Sequence, residues 1–152
     1  MSTEHDTPRP PLMIRLLGVA FDDFCEDLER RLADTPYNDI RISHGCVFGT
    51  IEPEGSRLTE LADRARMTKQ SVGEVTSDLE QRGYVERVPD PSDGRAKIIR
   101  LTERGRAAQA LGIGLIDELE QDWAARFGTD RVAALREALE AITGERSGAV
   151  VA

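Results

Sequence analysis

Apolar residues recur at helical spacing near both ends of the chain. Leu17, Phe21, Phe24, Leu28 and Leu32 follow one another three or four positions apart, with acidic residues between them. This pattern predicts a long amphipathic helix over about residues 11–34. Two more long helices are expected within residues 102–143, the last of them capped by Thr129 or Asp130. Their apolar residues are Leu111, Leu115, Leu119, Trp123 and Phe127, then Val132, Leu135, Leu139 and Ile142.

The middle of the chain carries shorter helical patterns that change phase. A short helix is expected from about residue 43 to residue 51. Two more follow within residues 56–83, where Thr68 is a credible N-cap for the second and Gly83 is placed to end it. The apolar faces of these two helices are Leu58, Leu61, Ala62 and Ala65, then Val72, Val75 and Leu79.

The stretch "PDPSDGRAKIIRLTERG", residues 89–105, predicts a β-hairpin with a polar and partly basic tip. Its prolines disfavour helix in the residues before them, and its Asp-Gly dipeptide favours a tight turn. Strands are expected over residues 84–88 and 96–101. Thr102 then provides a plausible cap for the helix that follows.

The order of these elements predicts a winged helix-turn-helix, in a mainly α fold with a small β-hairpin wing. A length of 152 residues suits one domain. That domain is expected over residues 11–145, with the winged helix-turn-helix at about 42–101 and flanking helices at about 11–34 and 102–143. Residues 1–10 are expected to form a disordered tail.

Composition and charge limit the classes of function that are compatible with the chain. The chain is 39% hydrophobic and 32% charged, which is typical of a globular protein. It has no apolar run long enough for a membrane span and no apolar N-terminal stretch, so a cytoplasmic location is expected. The net charge of −8 argues against a nucleic-acid partner. However, residues 57–100 hold nine Lys and Arg against eight Asp and Glu, so the acidic excess lies in the flanks.

Residues 60–105 resemble the MarR family of bacterial transcriptional regulators. The most specific part is the wing pattern Asp-x-x-Asp-x-Arg, formed by Asp90, Asp93 and Arg95, followed by "LTERG". The resemblance implies a homodimer whose flanking helices are dimerisation helices. It also implies a repressor that binds a pseudo-palindromic double-stranded operator and is released by a small-molecule effector. In the family, the arginine at the position of Arg95 contacts DNA and the aspartate at Asp93 helps to fix the wing.

The second helix of the motif is expected in the major groove and the wing in the adjacent minor groove. Side chains near the start of a recognition helix read base edges: Gln pairs with adenine, Lys favours guanine, and Ser or Thr tolerates either. Glu74 could accept from cytosine N4 or face solvent. Arg95 could contact DNA, form a salt bridge with Asp93, or do both in turn. The predicted DNA-binding residues are Arg64, Arg66, Thr68, Lys69, Gln70, Ser71, Asp93, Arg95 and Lys97.

An effector pocket is expected between the dimerisation helices and the winged module, on positional grounds. Its candidate walls are Phe24, Cys25, His44, Cys46, Phe48 and Trp123, with no ligand named. Trp123 could instead pack in the core or the dimer.

The two cysteines could be buried reduced thiols or redox sensors. The acidic neighbours of Cys25 should raise its pKa, which leaves Cys46 as the better redox candidate. No cofactor and no metal site is expected, since the cysteines and histidines lack ligand spacing.

Two other function classes can be weighed against DNA binding. A winged helix can act as a protein-interaction module, and the acidic balance of the chain favours that alternative. An enzyme is not expected, because the sequence has no nucleophile elbow, phosphate loop or HExxH motif.

Overall fold

The computed structural model describes residues 10–145. The chain is mainly helical with one two-stranded antiparallel hairpin, so the predicted fold class is confirmed. The predicted tail over residues 1–10 lies, apart from Pro10, outside the described residues. The elements are α1 Met13–Ala33, a 3-10 turn Ile42–His44 leading into α2 Gly45–Phe48, α3 Leu58–Ala65, α4 Lys69–Gln81, β1 Val85–Asp90, β2 Asp93–Leu101, α5 Glu103–Phe127 and α6 Thr129–Thr143.

Local side-chain caps fix the starts of two helices. Thr68 Oγ1 accepts the N–H of Ser71 at 3.1 Å and begins α4, and Thr102 Oγ1 accepts the N–H of Gly105 at 3.1 Å and begins α5. Both caps were predicted. The predicted cap of the last helix is wrong, because Gly128 precedes α6 with a φ of 104°. Glycine reaches this region without steric cost, so one residue joins α5 to α6.

The hairpin is longer than predicted and is joined to a third segment. Its strands pair from Val85 opposite Leu101 to Asp90 opposite Asp93, with an irregularity after Pro89. Ser56, just before α3, exchanges backbone hydrogen bonds of 2.8 and 2.9 Å with Ile99. This ties the base of the wing to the start of α3.

The winged module has its own apolar core. Val72 and Leu79 from α4 are fully buried, as their spacing predicted, and they belong to one cluster with Leu61 of α3. Tyr84, at the start of the hairpin, is buried in the same cluster. α4 and the hairpin therefore pack on a shared core, which holds one against the other.

The terminal helices pack together but leave much apolar surface uncovered. Phe24 of α1 and Trp123 of α5 meet edge to face with ring centroids 5.2 Å apart. In contrast, Ile14, Phe21 and Ile142 are 78%, 64% and 79% exposed. No helix within residues 10–145 is long and apolar enough to span a membrane. We call the exposed large apolar residues of α1 and α6 the terminal apolar surface: Met13, Ile14, Leu16, Leu17, Val19, Phe21, Leu135, Leu139 and Ile142.

Candidate nucleic-acid interface

The turn between α3 and α4 sets the direction of α4. Arg66 caps α3 in the left-handed region, with φ 52° and ψ 40°. This conformation is uncommon for a residue with a side chain. The guanidinium of Arg66 donates through Nη2 to the carbonyl oxygen of Thr143, at the end of α6, at 3.1 Å. Arg66 therefore lies against α6 rather than standing free beside α4.

The predicted contact residues at the start of α4 divide into two pairs. Thr68 and Ser71 bond to each other, with 2.8 Å between their hydroxyl oxygens, so their hydroxyl groups maintain the cap. Lys69 and Gln70 are exposed. The ammonium of Lys69 forms no ion pair with any residue in the described range, and Gln70 bonds to Glu74 at 3.3 Å.

The wing carries two further exposed cations that have no ion pair. Arg95 and Lys97 are two positions apart on β2, so they point to the same face of the hairpin. Asp93 Oδ1 accepts the backbone N–H of Arg95 at 3.1 Å, which shapes the turn. Between residues 10 and 145, neither cationic side chain has an ion-pair partner. The guanidinium of Arg95 is therefore available to a ligand instead of being held by Asp93.

Asp90 anchors the wing, a role that the sequence patterns did not predict. Its side chain is only 6% exposed. It accepts the N–H and O–H of Ser92 at 2.8 and 2.7 Å and the Nε–H of Arg57 at 2.7 Å. These bonds, those from Ser92 first, lower the pKa of Asp90 to about 2. The Asx spacing of Asp90 and Ser92 was visible in the sequence, but the partnership with Arg57 was not.

Replacing Asp90 with asparagine is expected to lower stability at neutral pH and to remove a pH dependence. The folded-state pKa lies below the ordinary value of 3.8, so the carboxylate stabilises the fold above about pH 4. That contribution is lost as the pH falls from there toward 2. Urea unfolding from pH 6 to pH 2.5 should therefore show the stability difference between wild type and Asp90→Asn shrinking with acid. A constant difference would contradict this assignment.

Most other arginines of the winged module are neutralised within the chain. Arg64 pairs with Glu52 at 3.1 Å and also donates to Thr50 O and Ser56 Oγ. It therefore holds the segment before α3, and its side chain remains partly exposed. Three further arginines are paired: Arg82 with Asp78, Arg87 with Glu80, and Arg100 with Glu86. Within residues 42–101, Lys69, Arg95 and Lys97 are the cations whose side chains form neither an ion pair nor a hydrogen bond, and they lie at the start of α4 and on the wing.

The structure does not bring the six predicted effector residues together. Phe24 and Trp123 line a groove between α1, α5 and α6, with Leu17, Phe21 and Leu139 beside them. The other four candidates lie elsewhere. Cys25 is half-buried on α1, while His44, Cys46 and Phe48 belong to the 3-10 turn and α2 in the winged module. An effector pocket formed by these residues stays a prediction.

His44 is a structural residue of the winged module. Its side chain is 1% exposed, and Nδ1 accepts the N–H of Arg41 at 3.0 Å. Its Nε2 lies 2.8 Å from Asp78 Oδ2 on α4. Because Nδ1 accepts, Nε2 carries the proton and donates to that carboxylate. Hydrogen bonds from Arg82 and His44 lower the pKa of Asp78. This network attaches the 3-10 turn to the recognition helix.

Neither cysteine has the surroundings of a reactive thiol. Burial, together with Asp22 and Glu29, raises the pKa of Cys25. Burial also raises the pKa of Cys46, whose sulfur donates to the carbonyl oxygen of Ser43 at 3.1 Å. A raised pKa lowers the fraction of thiolate, the form that reacts with oxidants. The structure therefore gives the redox alternative no support at Cys46.

Comparison with known proteins identifies the winged module. A family model described as the MarR family matches residues 40–96. This match confirms the resemblance seen in α4 and the wing. The matched segment contains Lys69, Gln70 and Arg95 together with the Asp90 anchor.

Individual proteins match more of the chain than the family model does. The transcriptional regulator HosA of Escherichia coli O111:H- is 31% identical over 73 residues, which are 48% of this chain and 54% of HosA. The match thus spans about half the length of that relative. The transcriptional repressor CouR bound to a 23-mer DNA duplex is 27% identical, with a TM-score of 0.70 over 87% of this chain and 92% of its own. CouR from Rhodococcus jostii RHA1 bound to p-coumaroyl-CoA is 24% identical, with a TM-score of 0.68 over 84% and 88%.

Proposed function

We propose that this chain is a sequence-specific DNA-binding transcriptional regulator that acts as a homodimeric repressor. The observation that carries the proposal is the distribution of unpaired cations. Lys69 begins α4, and Arg95 and Lys97 lie on the wing, whereas most arginines around them are neutralised by carboxylates. A chain of net charge −8 that keeps these three cations available has a local surface suited to phosphate.

The two surfaces suit different parts of a DNA duplex. The first turn of α4 presents the amides of a helix N-terminus, which favour an anionic phosphate. Lys69 and Gln70 extend from the same turn and can reach base edges in the major groove. Arg95 lies on a narrow hairpin that fits the adjacent minor groove. The Arg57–Asp90 pair holds this hairpin in a fixed place relative to α3.

The terminal apolar surface supports the homodimer. Four of its residues, Leu17, Phe21, Leu135 and Leu139, line one groove. Monomeric proteins rarely expose large contiguous apolar patches, and such patches mark contacts with a partner. Ile14 near the start of α1 and Ile142 near the end of α6 are both more than three-quarters exposed. A second copy would cover them through the same residues in a two-fold arrangement. Two winged modules related in that way require an operator with pseudo-palindromic half-sites.

Arg95→Ala is expected to weaken operator binding roughly tenfold, or about 1.4 kcal/mol. Each dimer would lose two cations, so the slope of log affinity against log salt should fall by about two. Fluorescence anisotropy on the DNA upstream of the gene, and on duplexes selected from a random library, measures both. Arg100→Ala is the matched control: Arg100 lies on the same strand but is paired with Glu86 at 2.7 Å. It should change neither quantity much.

Failure of this test has a defined meaning. If the wild-type protein selects no duplex and binds none saturably at low salt, the DNA-binding proposal is wrong. The winged module would then be treated as a protein-interaction platform, and the next experiment would be a pull-down. If wild type binds but Arg95→Ala and Arg100→Ala behave alike, the protein binds DNA without the wing arginine.

Release by a small molecule forms the last part of the proposal. The groove lined by Phe24 and Trp123 is apolar, with Arg136 at its edge. CouR, which shares this fold, binds p-coumaroyl-CoA, so an aromatic or anionic ligand is the class to screen first. Trp123 is the single tryptophan of the chain, and its emission reports on this groove directly. A ligand that acts here changes that emission and releases bound DNA over the same concentration range.

A further inference from the structure

We infer that Glu74 selects a cytosine at one position of each operator half-site. This inference rests on the proposed DNA binding and adds a base preference to it. It concerns the row of α4 residues that points away from the core. With 100° per residue, the positions opposite the buried Val72, Thr76 and Leu79 are Gln70, Glu74, Ser77 and Gln81.

This outward row contains one charged side chain, and its charge is negative. α4 has three acidic residues. Asp78 is held by Arg82 and His44, and Glu80 is held by Arg87, so two of the three carboxylates are occupied within the chain. Glu74 is exposed and has no cationic partner in the range that the structure describes. The recognition helix therefore offers DNA a single uncompensated carboxylate.

Gln70 holds this carboxylate in place. Its Nε2 lies 3.3 Å from Glu74 Oε1, one helical turn away. A carboxylate can only accept hydrogen bonds, so the amide nitrogen of Gln70 must face Glu74. Its carbonyl oxygen, and the second oxygen of Glu74, then remain free as acceptors. Gln70 and Glu74 thus present hydrogen-bond acceptors toward the major groove. Their mutual hydrogen bond already restricts both side chains, so less side-chain entropy is lost when DNA binds.

Acceptors on the protein require a donor on the base. In the major groove, guanine presents two acceptors and thymine presents an acceptor and a methyl group, so a carboxylate is repelled or unsatisfied at both. Adenine presents an amino group beside the acceptor N7. Cytosine presents its N4 amino group without an adjacent acceptor, and is the base that carboxylates accept from. Glu74 therefore favours cytosine and discriminates against the other three bases.

The same carboxylate has a cost that makes the inference testable. A negative charge close to the phosphates weakens binding to every sequence, whether or not cytosine is present. Removing it should therefore strengthen non-specific binding while it removes the preference at one position. A residue with only a structural role in α4 would not produce these two opposite changes.

The experiment is selection of duplexes from a random library by wild type, Glu74→Ala and Glu80→Ala, followed by anisotropy on single-base variants of the wild-type consensus. Glu80→Ala is the control because it removes the same charge from α4 at a carboxylate that Arg87 already holds. Wild type and Glu80→Ala should select cytosine at a position where Glu74→Ala selects any base. The affinity penalty for replacing that cytosine should be about tenfold in wild type and absent in Glu74→Ala.

Three results would overturn the inference, and they differ from one another. Identical consensus sequences for wild type and Glu74→Ala would show that Glu74 reads no base, while DNA binding itself would stand. If the preference that Glu74→Ala loses is for adenine, guanine or thymine instead of cytosine, the assigned base is wrong. If wild type selects no sequence at all, the proposed function fails together with the inference.

Discussion

Gly105→Ala is expected to lower the free energy of unfolding by about 3 kcal/mol. Gly105 lies in the first turn of α5, directly over the backbone of Tyr84. A Cβ at this position would be 2.0 Å from the carbonyl oxygen of Tyr84 and 3.0 Å from its carbonyl carbon. That oxygen also accepts the N–H of Thr102 at 3.0 Å. This hydrogen bond joins the backbone of Tyr84 to the start of α5, so neither segment can shift alone to relieve the clash. The whole of α5 would have to move away from the hairpin.

The same helix contains a matched control, Gly112→Ala. A Cβ on Gly112 meets nothing within 4 Å, so alanine there adds helix propensity without a clash. We expect that variant to gain about 1 kcal/mol. Urea unfolding followed by circular dichroism and by the emission of Trp123 measures both. If the two variants shift stability in the same direction, the close contact between α5 and Tyr84 is not what Gly105 provides.

Short-range patterns were enough to predict most of the winged module. Thr68 and Thr102 were recognised as caps because each satisfies an amide three residues away. Val72 and Leu79 were recognised as core because helical periodicity is local. The wing cations Arg95 and Lys97 were placed by the turn that precedes them. Each of these inferences needs only neighbours in sequence, which a single chain provides.

Contacts between distant residues could not be predicted in this way. Arg57 and Asp90 are 33 positions apart, and His44 and Asp78 are 34 apart, so neither pair leaves a pattern in one sequence. Gly105 and Gly112 look alike in the sequence of α5, and only the fold places Tyr84 against one of them. The grouping of the six candidate effector residues depends on distant contacts of the same kind.

The terminal helices show another limit of prediction from sequence. Their apolar residues were predicted correctly, but a single chain does not bury them. Leu135, Leu139 and Ile142 belong to the predicted apolar face of the last helix, yet they are 43%, 40% and 79% exposed. Periodicity identifies an apolar face without saying whether it packs within the chain or against another chain. A face that stays uncovered in a folded chain calls for an intermolecular partner. The strongest test of the proposed dimer therefore lies at these residues.

Replacing both Ile14 and Ile142 with glutamate is expected to convert the proposed dimer to a monomer. Both side chains are nearly 80% exposed, so the folded monomer should tolerate the change. Two charges placed in an apolar interface have no partner and would oppose association. Sedimentation velocity and light scattering should report half the mass of the wild-type protein. Circular dichroism should report the same helix content.

Loss of the dimer should weaken operator binding by about 10²–10⁴, because the second winged module then no longer binds as part of the same molecule. The control is Ala33→Glu, which adds negative charge at an exposed position outside the terminal apolar surface. It should leave the mass unchanged and affect DNA affinity only slightly. A double variant that stays dimeric would place the interface elsewhere. A monomer that keeps wild-type affinity would mean that one winged module is sufficient, and the operator would then need no second half-site.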